Sequence, residues 1–387
     1  MKTGSFRSRA GRLLLVGGCL AIHFLLALSI HAQTLARIRQ SKALRCGINI
    51  ETPEYSSSDD HGPRAAFDAD LCRAVAVAIL GSEARVITTE YPDDVAAMAA
   101  LRAGKVDLLP TLTLDLTHAS RTDLSFSPPV LYDGVGLLVP VSEHRSQPSD
   151  VSDKKICFLA ETEVEVALRA WFLKQNLKFL PFPFQEEGEM EAAFVSGNCS
   201  ALVGDLTRLV STRQGFGSLA SRYTLLSDAG SAAPLVLSED PLAAASRSND
   251  PTFANIVRWT LEVLLQAEAH GLTQQFVASQ AASSSRSPSS SSPRTLPLLS
   301  SRSEAEGSAS STTINSDPTV RILTGQTHEI GQRLGLKNDW AAQVLAAVGN
   351  YGEIYERDLG AHSPLNLPRA QNRLVGEGGL QFPLPLK

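Results

Sequence analysis

Long runs of one charge are missing from this sequence. Its 35 Lys and Arg stand against 40 Asp and Glu, for a formal charge of -5. Without a basic stripe there is no electrostatic footprint for nucleic acid, so no such partner is expected. Catalytic signatures are missing too. There is no Ser-His-Asp order, no phosphate loop and no Cys-x-x-Cys spacing, and the eight histidines are scattered. No metal or other cofactor is therefore expected. Only one stretch, residues 13–30, is apolar enough to be considered for a bilayer, and no internal repeat is visible.

What is present begins with that stretch. Lys2, Arg7, Arg9 and Arg12 precede it without any acid, and it closes on Ile30-His31-Ala32, a small-residue ending suited to cleavage before Gln33. Residues 1–32 thus read as an export signal. The alternative is an uncleaved anchor, which Gly17, Gly18 and His23 weaken. Removing the segment leaves 31 basic against 40 acidic residues, a charge of -9. Removal also takes Cys19, leaving Cys46, Cys72, Cys157 and Cys199. An even count in an exported chain suggests disulfides in any of three pairings, of which 46–72 with 157–199 puts one bridge in each half; free buried thiols are the alternative.

From Leu44 onward short β-type runs alternate with amphipathic helices. Strands are expected over 44–50, 84–89, 106–109, 156–159, 177–182, 201–204 and 234–237. Helices are expected over 67–80, 93–103, 163–175, 187–195, 206–212 and 252–269. The pattern occurs twice, implying two α/β lobes with largely parallel sheets. Residues 281–316 hold 15 serines and scattered prolines, too little apolar surface to offset chain entropy, so they read as a disordered linker. A helix follows over 340–351, with Asn338 as its N-cap.

The run Arg121-Thr-Asp-Leu-Ser-Phe-Ser-Pro-Pro, continuing through Tyr132 to Val139, follows a Thr/Ser-rich turn. Around it stand Cys46-Gly-Ile-Asn-Ile, Ala66-Phe-Asp-Ala-Asp-Leu-Cys72, Asp153-Lys-Lys-Ile-Cys-Phe and Gly197-Asn-Cys-Ser-Ala-Leu-Val-Gly-Asp205. Later come Pro241-Leu, Ile256-Val-Arg-Trp, Leu336-Lys-Asn-Asp-Trp, Val348-Gly-Asn-Tyr-Gly-Glu-Ile-Tyr and Gly378-Gly-Leu. Together these blocks resemble the polar amino-acid-binding proteins of bacterial ABC importers, and the tail blocks resemble their general L-amino-acid-binding type. The resemblance covers nearly all of the mature chain except the serine-rich insert.

The resemblance implies a type II periplasmic-binding fold: two α/β lobes joined by a hinge, with a C-terminal helical extension. The lobes would comprise 33–139 with 234–280, and 140–233, with 317–387 packing on them. It further implies periplasmic location, an amino-acid ligand, an ABC permease as partner, a monomer, and no bond chemistry. In that family an arginine at the place of Arg121 clamps the ligand's α-carboxylate, and an acid at the place of Asp205 takes its ammonium. A planar guanidinium and a carboxylate suit those roles. Asp205 is also placed to cap the helix that starts at Leu206.

Thr113, among Thr111, Thr113 and Thr117, could donate to the ligand; Tyr55 and Thr162 are further candidates. Some residues depart from the family pattern. Ala66 replaces a glycine, Arg64 stands where an aromatic is usual, and the strand before Arg121 is about two residues longer. Glu161-Thr162-Glu163 replaces Gly-Thr-Thr, so Glu163 either faces solvent or favours a cationic ligand. A cyclohexadienyl-dehydratase-like enzyme on the same fold, or a sensory or scaffold protein that no longer binds ligand, are the rival readings.

Overall fold

The computed structural model describes residues 34–49, 64–228, 233–284, 317–327 and 329–386. The expected signal, Tyr55 and most of the serine-rich stretch lie outside them. After helix α1 (Thr34–Ser41) comes the pair β1 (Ala43–Asn49) and β2 (Arg85–Tyr91), joined through helix α2 (Ala65–Leu80), which stops at Gly81 with φ 69°. Helix α3 (Asp94–Arg102) starts on the Asp93 side chain, which accepts from Ala96 N at 2.7 Å. It leads to β3 (Leu108–Thr113) and the single turn α4 (Leu116–Ala119).

A 17-residue strand, β4 (Leu124–Pro140), then carries the chain into the second lobe. Its Pro128-Pro129 pair cannot donate to a ladder, and register shifts fall there. The second lobe holds β5 (Lys155–Leu159), α5 (Glu163–Lys174), β6 (Leu180–Phe184), α6 (Glu187–Val195), β7 (Ala201–Asp205), α7 (Leu206–Gly215) and β8 (Tyr223–Leu225). Strand β9 (Ser238–Arg247) returns to the first lobe, followed by α8 (Pro251–Ala269) and α9 (Gln274–Ser284). Asp250 accepts from Phe253 N at 3.0 Å and Pro251 opens α8, a favourable helix start.

The nine strands order as β2-β1-β3-β9-β4-β7-β5-β6, with β8 on β4. Within each lobe the pairs β1/β2, β1/β3, β5/β6 and β5/β7 are parallel, as expected. The crossing strands β4 and β9 are antiparallel to each other and to their outer neighbours, so the sheet is mixed rather than largely parallel. The strand expected at 234–237 is a second correction. Pro234 makes only an isolated bridge to Ser227, and the strand begins at Ser238. Its sequence, Ser-Glu-Asp-Pro-Leu-Ala-Ala-Ala-Ser-Arg, is poor in β-formers; its place between β3 and β4 overrides propensity.

The second lobe buries both faces of its sheet, which suits parallel strands under helices on either side. Ile156, Phe158, Ala201 and Val203 pack with Leu168 and Trp171 on one face; Cys157 and Leu202 pack with Met190, Phe194 and Leu209 on the other. The first lobe's core, around Phe67, Leu71, Phe253 and Leu264, continues into the chain's last third. There α10 (Pro318–Leu323), α11 (Glu329–Arg333), α12 (Trp340–Val348) and α13 (Tyr351–Asp358) follow. Phe67 meets the rings of Tyr351 and Tyr355 edge-on, with centroids 6.1 and 6.4 Å away.

The single helix expected over 340–351 is thus two. Gly349 adopts φ 90°, and Asn350 opens α13 with a reciprocal capping box to Glu353. Asn338 does not cap; Asp339 holds the N-cap position of α12, without a side-chain bond. Helix α9 extends to Ser284, so the first four residues of the expected linker are helical and the rest lie outside the described residues. Cys46 pairs with Cys72 and Cys157 with Cys199, with Cα separations of 6.4 and 5.8 Å.

Candidate functional site

A cavity of about 250 Å³ lies where the lobes meet. The first lobe lines it with Arg64, Asp94 and Thr113, and the second with Glu163, Val164 and Asp205. Asp133 and Val135 of β4, and Ser238, Glu239, Asp240 and Leu242 of β9, form its floor. Gly134 lets the two crossing strands approach: a Cβ there would lie 2.3 Å from Ser238 O.

Six of these lining residues carry carboxylates and one carries a guanidinium. Asp133 is buried. It accepts from Gly134 N at 2.9 Å, from Thr207 N at 3.2 Å and from the Thr207 hydroxyl, and Arg64 stands 3.8 Å away. Asp94 accepts from Asn49 Nδ2 at 2.6 Å and from Thr113 Oγ1 at 3.4 Å. Burial, then the nearby charges of Asp133 and Asp205, push the Asp240 carboxyl up to about 7. Behind the wall, burial also pushes Asp68 up to about 7, even though Thr111 Oγ1 donates to it at 2.8 Å.

Of the residues singled out from sequence, Thr113, Glu163 and Asp205 line this cavity together. Asp205 occupies the N-cap position of α7, but its side chain makes no capping bond. Thr111 is spent on Asp68, and Thr117 is exposed on α4. The Thr162 hydroxyl caps α5, accepting from Glu165 N at 3.4 Å and donating to Leu159 O at 2.8 Å; it lines a separate hollow inside the second lobe. Glu161 is exposed with φ 63°, and its N–H goes to Glu165.

Arg121 follows α4 and does not line the cavity, and its buried Nε has no hydrogen-bond partner among the described residues. Arg64, Asp94, Asp133 and Asp240 were not picked out from sequence. Only the arginine gave a signal, by replacing an aromatic. A further hollow of about 540 Å³ lies on the second lobe and the tail, lined by Trp171, Asp228 and Arg373 among others; it shows no charge excess. No group of residues with metal-binding geometry occurs among the described residues, and none of their helices is long and apolar enough to cross a membrane.

No family model matches the sequence. Individual proteins do. The chain is 31% identical over 359 residues to the general L-amino acid-binding periplasmic protein AapJ of Rhizobium johnstonii, covering 92% of this chain and 93% of the relative. It belongs to the periplasmic amino-acid-binding proteins of ABC transporters. Another such protein, the glutamate/glutamine/aspartate/asparagine-binding protein BztA of Rhodobacter capsulatus, is 27% identical over 371 residues, or 96% and 98% of the two chains. A solved ABC-transporter periplasmic binding protein from Brucella ovis, with glutathione bound, superposes with a TM-score of 0.68 at 29% identity, covering 92% of this chain and all of that one. The bilobal fold, the two disulfides and the periplasmic location expected from the sequence thus stand. The relatives are named as binding proteins rather than enzymes.

Proposed function

We propose that this protein captures an amino acid with a cationic side chain between its lobes and passes it to an ABC permease, without bond chemistry. The observation that carries this reading is the lining of the interlobe cavity: six carboxylates against one guanidinium among the described residues. Residues 50–63, which lie outside those described, contain neither Lys nor Arg. Crowded carboxylates raise one another's free energy, and a cation entering among them removes that cost. A backbone ammonium would be taken by Asp205 and the side-chain cation by Asp94, Asp133, Asp240 and Glu163, while Thr113 donates to the carboxylate.

Two guanidiniums are candidates for that carboxylate: Arg64, which lines the cavity, and Arg121, which stands at the family's clamp position but does not line it. Tyr55 and Thr162 remain candidates for contact with the ligand. The lobes are proposed as 33–139 with 234–280, and 140–233, with 281–316 as a linker, 317–387 packed on them, 1–32 removed on export, and the protein acting as a monomer.

The test is calorimetry with arginine, lysine, ornithine, glutamine, glutamate and glutathione. Arginine, lysine or ornithine should bind at least about tenfold more tightly than glutamate. Glutathione is the instructive rival: it is bound in the Brucella ovis protein, yet it brings two carboxylates into an acid-lined space. Tighter binding of glutathione or glutamate would overturn the charge reading, and binding of none would favour a scaffold. Turnover of prephenate or arogenate would make the protein an enzyme. Titrating R64A and R121A with the ligand found assigns the clamp.

A further inference from the structure

The tail touches both lobes and the hinge strand between them. Arg369 forms a two-nitrogen ion pair with Glu268 of α8 and lies over the rings of Tyr351 and Tyr355 at 5.5 and 5.6 Å. Further on, Gln266 donates to Leu384 O and Leu384 N donates to Glu262, each at 2.8 Å. Leu374 and Leu386 are buried in the first lobe's core. The tail is therefore a fixed part of the first lobe.

From that base it reaches the second lobe. Leu367 is buried in the core around Leu206 and Leu209, while its N–H bonds to Leu359 O, a residue of the first lobe's core. Leu365 packs on both cores. Two donors on α7 close over the same stretch: Arg213 Nη2 to Leu365 O at 2.5 Å, and Gln214 Nε2 to Pro364 O. Between the lobes, Asn372 accepts from Tyr132 N at 2.7 Å and donates to Tyr132 O at 2.8 Å. Strand β7 ends its pairing with β4 at Val135 opposite Asp205, so at Tyr132 the side-chain amide stands in for a neighbouring strand. Only a group with both a donor and an acceptor can do so; aspartate at neutral pH could not. Gln371 adds a 2.9 Å bond to Glu239 on β9.

We infer that residues 364–372 are a strap, built into the first lobe, that holds the hinge at Tyr132 and the second lobe through Leu367, Arg213 and Gln214, and thereby sets the angle between the lobes. Rotation about β4 and β9 has to break or stretch these bonds, because the tail cannot follow the second lobe without leaving its own core. Contacts that exist in one arrangement and not in another bias the equilibrium between them, whatever ligand fills the cleft.

The test places spin labels on K105C in the first lobe and K174C in the second. Both lysines are exposed, and the four cysteines beyond the expected signal are all paired. In the ligand-free protein the strap predicts one dominant interlobe distance. R213A/Q214A removes only the two polar grips, and the ratio of other distances to this one should rise about five- to thirtyfold. L367A should move it the same way, while each variant keeps a cooperative melt. Should L367A unfold, the pair R213A/Q214A decides. Distance distributions in R213A/Q214A that superimpose on the parent's would overturn the inference. So would a changed distribution that comes only with loss of the cooperative melt.

Discussion

Two charged centres of the molecule use the same two chemical groups in opposite proportions. At Asp107, which is wholly buried, one carboxylate is surrounded by arginines. Arg37 pairs with it directly, Arg45 bonds to it at 2.8 Å and through its backbone N at 2.9 Å, and Arg247 stands 3.8 Å away. In the interlobe cavity six carboxylates share one guanidinium. The first centre has more cations than anions, yet it ties α1, β1 and β9 together, and Arg247 also donates to Leu101 O, Val106 O and Thr34 Oγ1 within the fold. Among its described lining residues, the second holds six acids to one base. An ion cluster bonded within the fold serves structure, whereas an acid-rich one in a cleft awaits a partner of opposite sign.

The comparison breaks first at Asp107. Removing that carboxylate leaves three guanidiniums facing one another without their anion, so D107A should lose about 3–5 kcal/mol in urea unfolding. A loss below about 1 kcal/mol would mean that the cluster is not structural. In the cavity the same kind of removal should act on binding instead. D205N should weaken a cationic amino acid by about 2 kcal/mol or more in calorimetry, with little change in melting temperature, because it withdraws a partner of the ligand's ammonium. Equal melting losses in the two variants would erase the distinction.

Acidity sharpens it further. A carboxyl whose folded value is raised favours the folded state in its protonated form. Stability from this source is therefore full below about 4 and is lost as the pH climbs through about 7. Asp240 and Asp68 lie in this window, as does Asp358 of α13, which burial and Asp70 also push up to about 7. The ligand-free melting temperature should fall between about pH 5 and pH 8. D240N should flatten that slope and stabilise the protein at pH 8 by roughly 1–2 kcal/mol, a figure discounted for the partly wet site. A cationic ligand binds the ionised form, so its affinity should rise over the same window. The smallest effect is expected at Glu163, which is exposed while lining the cavity. E163T should tighten neutral amino acids by up to about 1 kcal/mol and relax the preference for basic ones; identical affinities for both classes would show that its carboxylate acts only on solvent.

The alternation of strands and helices was legible in the sequence because the central second-lobe strands β5 and β7 are apolar on both faces. Ile156, Cys157 and Phe158 show this: the outer two enter one core and the middle one the other. Strand β9 was not legible, since its pairing comes from position in the sheet and not from its Asp-Pro-Leu-Ala-Ala-Ala composition. Asn350 was hidden inside an apolar helical pattern, where the left-handed Gly349 gave the only sign of a break. In the cavity, Asp205 was expected from the family's acid at that place and Thr113 only as one of three threonines; both end strands there. Asp94, Asp133 and Asp240 lie on three distant segments, and nothing local marks them as neighbours. Arg121 carried the strongest sequence signal, yet it does not line the cavity, while Arg64, from a poorly patterned stretch, does.

The two disulfides close loops of 26 and 42 residues, and neither spans the cleft. For a chain threaded across a membrane N-terminus first, this fixes an order of events. Cys72 emerges while Cys46 is its only available partner beyond the expected signal, and that bond can form before Cys157 appears. Cys199 then meets Cys157 with the earlier pair already spent. Of the three pairings open to four thiols, the native one is the one that successive arrival selects, so correct oxidation demands no reshuffling during export.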